Sequence, residues 1–142
     1  MISSLVKILF LLFIMPFNIN GEYEVHILNN LPPNTPMLQL HCASADDDFG
    51  HQYPDLGKDY SWSFKDNFFG STLYFCHFWW GFKQNVFDVF NDARYCIHGG
   101  DKFVPYDTTK CIYGVQEDGF YFGTENFMGK QNLTKYADWL SS

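Results

Sequence analysis

Three consecutive aspartates, Asp46 to Asp48, are the densest group of side chains in this 142-residue chain that could bind a metal or take part in catalysis. A calcium loop of the EF-hand type needs oxygen ligands at alternating positions and a glutamate at the twelfth, and this spacing is missing here. Adjacent residues in extended backbone point to opposite faces, so three neighbours rarely converge on one ion. Aspartate readily bonds its own backbone, and Gly50 allows a sharp turn. The segment is therefore predicted to be a turn between strands that holds no metal.

The five histidines form no recognisable catalytic or metal-binding motif. They are His26, His41, His51, His77 and His98. His98, in CIHGG, shares a short pattern with the IHGLWP signature of secreted T2 ribonucleases. That chemistry needs a general acid, a general base and cationic groups near the phosphate, and the second histidine motif is absent. GxSxG is absent too, so we predict no catalytic residue and keep a T2-like ribonuclease or other hydrolase as the alternative.

Residues 1–21 have the features of a cleaved secretory signal peptide. Lys7 precedes an apolar run from Ile8 to Pro16, and the small residue Gly21 offers a cleavage point. The run is shorter than the roughly 20 residues of a membrane anchor. Cleavage leaves residues 22–142 as one secreted domain without membrane insertion. Its formal charge moves from -7 to about -8, which argues against a nucleic-acid partner.

All four cysteines follow the predicted signal peptide: Cys42, Cys76, Cys96 and Cys111. Secretion makes disulfides the expected state of these thiols. No CxxC pair supports a zinc site. A predicted hairpin over residues 71–91 would bring Cys76 close to Cys96, which leaves Cys42 and Cys111 as the second pair.

The elements that position these residues are predicted to be short strands. The chain contains 9 Tyr, 16 Phe and 4 Trp, and such residues favour pleated strands. Apolar alternation predicts strands over residues 22–29, 37–44, 58–64, 71–80, 84–91, 111–116 and 119–124. Residues 71–80 are almost continuously apolar, as in a central strand covered on both faces. The end of the chain is compatible with either a short helix or a strand. Together these segments predict an all-β, antiparallel sandwich of about seven or eight strands.

Several of these landmarks occur together in one known family. They are V-H-I-x-N-N-L near residue 25, L-x-L-H-C-A-S-x-D-D-D-F-G, the block Y-S-W-S-F-K-D-N-F-F-G-S-T-L-Y-F-C-H-F-W-W, and C-I-Y-G-V-Q-E-D-G-F-Y. Over residues 23–123 the chain resembles the plant self-incompatibility S-protein family, also called S-protein homologues. The F-W-W block and the E-D-G-F-Y ending look like those of the field poppy members.

The resemblance implies a small secreted β-sandwich with disulfides that acts as an extracellular ligand without a cofactor. For the poppy members it implies secretion by the stigma and binding to a pollen plasma-membrane receptor of matching haplotype. Calcium entry, growth arrest and death of incompatible pollen follow. A family homologue acting outside pollination, as an extracellular signalling effector, is the other reading. We expect a monomer.

The longest irregular polar stretch, residues 91–110, is predicted to recognise the receptor. Its candidate residues are Asp92, Arg94, Gly99, Gly100, Asp101 and Lys102. Loops on a rigid scaffold commonly carry specificity. Asn132 begins the one Asn-x-Ser/Thr sequon of the chain and is the predicted glycosylation site.

Overall fold

The computed structural model describes residues 21–141. The predicted signal peptide, residues 1–21, therefore lies outside the described residues except for Gly21. Ten strands follow in the order β1 Glu22–Asn29, β2 Leu38–Ala43, β3 Asp48–Gln52, β4 Asp59–Lys65, β5 Tyr74–Trp80, β6 Lys83–Phe90, β7 Lys110–Gln116, β8 Gly119–Glu125, β9 Gln131–Ala137 and β10 Leu140–Ser141. One short 3₁₀ helix, Gly100–Lys102, interrupts the long connection between β6 and β7.

The strands form two five-stranded sheets with the orders β4-β1-β7-β8-β9 and β10-β6-β5-β2-β3. Every pairing is antiparallel except the one between β1 and β7, which run parallel. The predicted all-β sandwich is confirmed, and it has ten strands instead of seven or eight. The parallel pair differs from the expectation because the long β6–β7 connection returns the chain to the first strand from the opposite sheet.

The core between the sheets follows from strict alternation within the strands. In β1, Tyr23, Val25 and Ile27 are buried, and in β2 the inward residues Leu38 and Leu40 face them from the other sheet. Aromatic rings fill much of the remaining space. The largest fully buried side chains include Phe78, Phe90, Tyr113, Phe120 and Phe122. Burial of such large apolar surfaces is the main source of stability in a domain of this size.

The predicted disulfide pairing was wrong. The structure joins Cys42 to Cys76 and Cys96 to Cys111. Cys42 and Cys76 are register partners on the adjacent strands β2 and β5, with their Cα atoms 4.1 Å apart. The prediction considered only the β5–β6 hairpin and did not place β2 on the other side of β5. No free cysteine remains.

Other differences concern strands that the sequence pattern hid. Asp48, expected in a turn, begins the edge strand β3, and the undecided tail forms β9 and β10. Strand β5 is central in its sheet, as expected, but only one of its faces is buried. Its outward residues are the exposed Phe75 and the half-buried His77 and Trp79. The run is continuously apolar because β5 also carries aromatic residues on its outer face, and not because a further layer of the described residues covers that face.

Strand directions place four connections at one end of the sandwich: residues 44–47, 66–73, 91–109 and 126–130. We call this end the loop end. Residues 21–141 contain no helix long and apolar enough to cross a membrane.

Candidate functional site

The loop end brings the triple aspartate and the predicted recognition segment to the same side of the molecule. Residues 44–47 connect β2 to β3, and residues 91–109 connect β6 to β7. The first connection joins two strands of the second sheet, whereas the other crosses from the second sheet to the first. Clusters of loops at one end of a sandwich are a common location for binding sites, because the sheets hold them rigidly.

The β6–β7 connection is internally bonded. The Cys96–Cys111 disulfide ties this connection to the second residue of β7, and both cysteines are fully buried. Backbone N–H groups of Asn91 and Asp107 donate to the carbonyls of Cys96 and Arg94, at 2.8 and 2.7 Å. The segment therefore has a defined shape, in contrast to a solvated linker.

Gly99 and Gly100 shape the charged tip. Gly99 has a φ of 80°, in the left-handed region that favours glycine. Gly100 is buried, and a Cβ there would collide with the carbonyl oxygen of Tyr95. Gly100 thus supports the loop and cannot itself contact a partner. Beyond it, Asp101 and Lys102 are exposed, and within residues 21–141 neither side chain has an ion-pair or hydrogen-bond partner.

Asp92 and Arg94 form a local ion pair instead of a free charged surface. The Arg94 Nε lies 3.4 Å from Asp92 Oδ1, and the Arg94 backbone N–H donates to the same oxygen at 2.8 Å. Burial acts to raise the pKa of Asp92, but these hydrogen bonds from Arg94 outweigh it and leave the pKa below its usual value. The Asp92 carboxylate is largely buried while the Arg94 side chain is exposed. Of this pair, only the guanidinium is open to a partner.

Asp46 and Asp47 lie in the turn before β3 and Asp48 begins that strand, and their carboxylates have different surroundings. The backbone N–H of Ser44 donates to the Asp47 carbonyl at 2.7 Å, and the Asp47 N–H donates back to Ser44 Oγ at 3.1 Å. Asp48 Oδ1 accepts hydrogen bonds from the Gly50 N–H and from the His41 ring, and these bonds lower the pKa of Asp48. Within residues 21–141, no three histidine, cysteine or acidic side chains are arranged to hold a metal ion.

A groove of 620 Å³ opens beside this turn. Its walls include Asp46 and Asp47 from the turn, and Phe49, Trp62 and Tyr74 from three strands. We call it the aspartate–aromatic groove. The Tyr74 hydroxyl donates to Asp47 Oδ2 at 2.9 Å, and burial together with this carboxylate raises the pKa of Tyr74 to about 12. Sequence reasoning missed the groove because its aromatic residues also pack in or against the core, and an apolar pattern does not show which of them keep a partly exposed edge.

A row of three histidines crosses the outer face of the second sheet. His51, His41 and His77 are register partners on β3, β2 and β5. The His41 and His51 ring centroids lie 4.8 Å apart, and His77 stacks on Trp79 at 3.8 Å. His98 lies elsewhere, exposed in the β6–β7 connection. The rings of His41, His51 and His77 each contact aromatic or polar neighbours, as expected for histidines on a sheet surface.

Asn132 is exposed on β9, which forms one edge of the first sheet. A glycosyl group attached to its side chain would extend into solvent. This position is compatible with the predicted modification, since an acceptor asparagine has to be accessible.

A small β-sandwich that carries two disulfides is a structure typical of secreted proteins. The family model described as plant self-incompatibility protein S1 matches residues 24–139. The chain belongs to this family.

Relatives in Arabidopsis thaliana support the assignment. S-protein homolog 2 is 38% identical over 65% of this chain and 55% of its own length. S-protein homolog 27 is 35% identical over 88% of this chain and 74% of its own length. S-protein homolog 3 is 39% identical over 66% of this chain and 63% of its own length. The chain thus spans little more than half of the first of these relatives.

A solved structure of a self-incompatibility protein homologue has the same fold. It superposes with a TM-score of 0.56 at 23% identity and covers 85% of this chain and 96% of its own chain. That protein is described as one of a widespread family of small, highly stable, secreted plant proteins. The relatives that match are S-protein homologues and not ribonucleases, so the T2-ribonuclease alternative based on His98 is not supported.

Proposed function

We propose that this protein is a secreted stigma ligand that binds a pollen plasma-membrane receptor through its β6–β7 connection. Binding leads to calcium entry, growth arrest and death of incompatible pollen. The observation that supports the proposal is the pair Asp101 and Lys102, which project from a disulfide-anchored connection without partners within the described part of the chain. Unsatisfied charges on a rigid support are suited to specific recognition.

The residues of the proposed recognition loop have different parts in this interface. Asp101 and Lys102 offer one charge of each sign, and the exposed Arg94 guanidinium adds a planar donor. Gly99 and Gly100 set the direction of the tip. No reaction is required of the protein and no cofactor is used, because the signal would arise in the receptor.

The test is a pollen-tube assay with refolded protein and pollen of known genotype. The Asp101→Ala/Lys102→Ala variant should lose most of the growth arrest on incompatible pollen while it unfolds at the wild-type temperature. Asp55→Ala/Lys58→Ala is the matched control, because it removes one acid and one base from exposed positions at the opposite end. Equal arrest by both variants would contradict the assignment of the connection.

A second function, extracellular signalling outside pollination, is favoured by the names of the relatives, which are S-protein homologues. The same assay separates the two functions. Arrest that depends on pollen genotype supports self-recognition. If pollen of no genotype is arrested and the protein accumulates outside the stigma, the effector role is supported.

A further inference from the structure

The aspartate–aromatic groove carries a feature that the β6–β7 connection does not explain. It holds two acidic side chains beside a wall of aromatic rings, at the same loop end but next to a different pair of connections. We propose that this groove is a second binding site, which takes an arginine-bearing segment of a protein partner.

Charge in the groove favours a cation. Asp46 is exposed, and within residues 21–141 it forms no ion pair. Asp47 keeps acceptor capacity after its bond from Tyr74, because a carboxylate has about four acceptor positions. Lys65 is the one cationic side chain among the lining residues. Two carboxylates against one ammonium leave the groove negative.

The aromatic wall favours arginine over lysine. The half-buried rings of Phe49 and Trp62 have centroids 5.1 Å apart and are the partly accessible rings of this trio. Tyr74 is only 3% exposed, so its ring supports Phe49, at 6.0 Å with an interplanar angle of 5°, and offers no open face itself. A planar guanidinium can stack on such rings while its N–H groups bond a carboxylate in two places. An ammonium group offers only a compact charge. The combination of Asp46 and these rings therefore matches the chemistry of arginine.

Trp62 supplies a second, independent observation. Its Nε1 atom is buried, and it is the one buried side-chain nitrogen or oxygen within the described residues that has no hydrogen-bond partner. Unpaired buried donors are rare in folded proteins, because each one forfeits its bond to water. Trp62 belongs to the groove wall. A backbone carbonyl of a bound segment is the acceptor that this N–H lacks, and a small opening of the wall would expose it.

The rim of the groove adds an apolar contact surface. The β4–β5 connection presents Phe68 and Phe69, which are 95% and 86% exposed and pack edge to face at 5.3 Å. Asn67 fixes this connection, since its Oδ1 accepts from the N–H groups of Phe69 and Ser71. Exposed aromatic pairs commonly mark protein interfaces. The expected partner segment therefore carries an arginine flanked by apolar side chains.

The test follows the indole N–H signal of Trp62 by NMR. The chain has four tryptophans, so the signal is assigned by its loss in Trp62→Phe. The probe is the blocked peptide acetyl-Leu-Arg-Leu-amide, and the control peptide replaces arginine with the uncharged isostere citrulline. We expect a saturable shift of the Trp62 signal with the arginine peptide, at a dissociation constant below about 1 mM. The citrulline peptide should produce a much smaller shift.

Three variants show whether charge in the groove is the cause. Asp46→Asn should raise the dissociation constant about threefold, as expected for one exposed ion pair, and Lys65→Gln should lower it by a similar factor. Asp55→Asn, at the opposite end, should leave it unchanged. Equal affinity for the citrulline peptide, or no effect of either groove variant, overturns the proposal.

Other occupants would give different outcomes. A shift of the Trp62 signal with protein concentration alone would assign the groove to a second copy of this chain. Sedimentation with phosphatidylcholine vesicles, abolished by Phe68→Ala, would assign the rim to a lipid surface. Either result without an arginine response overturns the proposal. Because the assay uses the protein and peptides without pollen or receptor, its failure leaves the role of Asp101 and Lys102 standing, and the reverse also holds.

Discussion

Removing the Cys96–Cys111 disulfide should loosen the recognition connection and lower the stability of the domain by a calculable amount. The two cysteines are separated by 15 residues in the sequence. In the chain-entropy model, closing a loop of that length contributes about 3 kcal/mol. The Cys96→Ala/Cys111→Ala variant should therefore lose about 3 kcal/mol of unfolding free energy. For a domain of this size, that loss corresponds to a Tm lower by roughly 10 °C.

The second disulfide provides the matched comparison. Cys42 and Cys76 are separated by 34 residues, so the same relation gives roughly 3.8 kcal/mol for their bond. The two double variants should thus be destabilised to a similar extent but in different places. Without the Cys96–Cys111 bond, the start of residues 97–109 is no longer tied to β7. Without the Cys42–Cys76 bond, β2 and β5 remain joined by their backbone hydrogen bonds.

Urea unfolding gives the two free energies, and amide hydrogen exchange shows where each variant has loosened. Exchange within residues 97–109 should accelerate only in Cys96→Ala/Cys111→Ala. The single variant Cys42→Ala then checks the pairing, because alkylation and peptide mapping should find the free thiol at Cys76. A free thiol at Cys111, or a Cys96→Ala/Cys111→Ala variant with wild-type Tm and wild-type exchange, would refute the reasoning.

Three further predictions concern other parts of the domain. Gly100→Ala should destabilise the protein by about 2 kcal/mol in urea unfolding, because the new Cβ collides with the Tyr95 carbonyl; a change below about 0.5 kcal/mol would contradict the burial argument. The free energy of unfolding should fall as the pH rises from 10 to about 12, since tyrosine in the unfolded chain ionises near 10 while the raised pKa keeps Tyr74 protonated in the fold. Tyr74→Phe should make that fall shallower, and an identical slope would show that other groups cause it. Thr134→Ala should remove any N-glycan and increase gel mobility of the plant-secreted protein, whereas unchanged mobility would mean that the sequon is unused.

The local residue pattern was sufficient to predict the strands in which apolar and polar residues alternate strictly. Strand β1 occupies residues 22–29 as predicted, and the hairpins that contain Cys76 and Cys111 were also expected. Alternation reports which residues face inward, and that information is local. The edge strand β3 was not predicted, and β9 was left undecided between a helix and a strand, because the residues of both are polar or mostly exposed.

The alternation of residues within each strand could not predict which distant strands lie next to each other. The Cys42–Cys76 bond depends on β2 lying beside β5, and the parallel β1–β7 pair depends on a crossover between sheets. The groove could not be predicted for the same reason. Asp46 lies between β2 and β3 and Trp62 lies in β4, so they line one groove only once the two sheets have packed together. By contrast, the exposed tip at Asp101 was predicted from composition alone, because a long polar stretch between two strands is expected to lie on the surface.

Strand β9 forms an unpaired edge of the first sheet, and edges of this kind can recruit a strand from another molecule. Asn132 lies exposed on that edge. A bulky glycan there would act as a steric block against intermolecular sheet extension. Glycosylation would then serve as protection against aggregation where the protein accumulates. Protein made without glycans is expected to form larger species on size-exclusion chromatography at high concentration than the same protein with glycans.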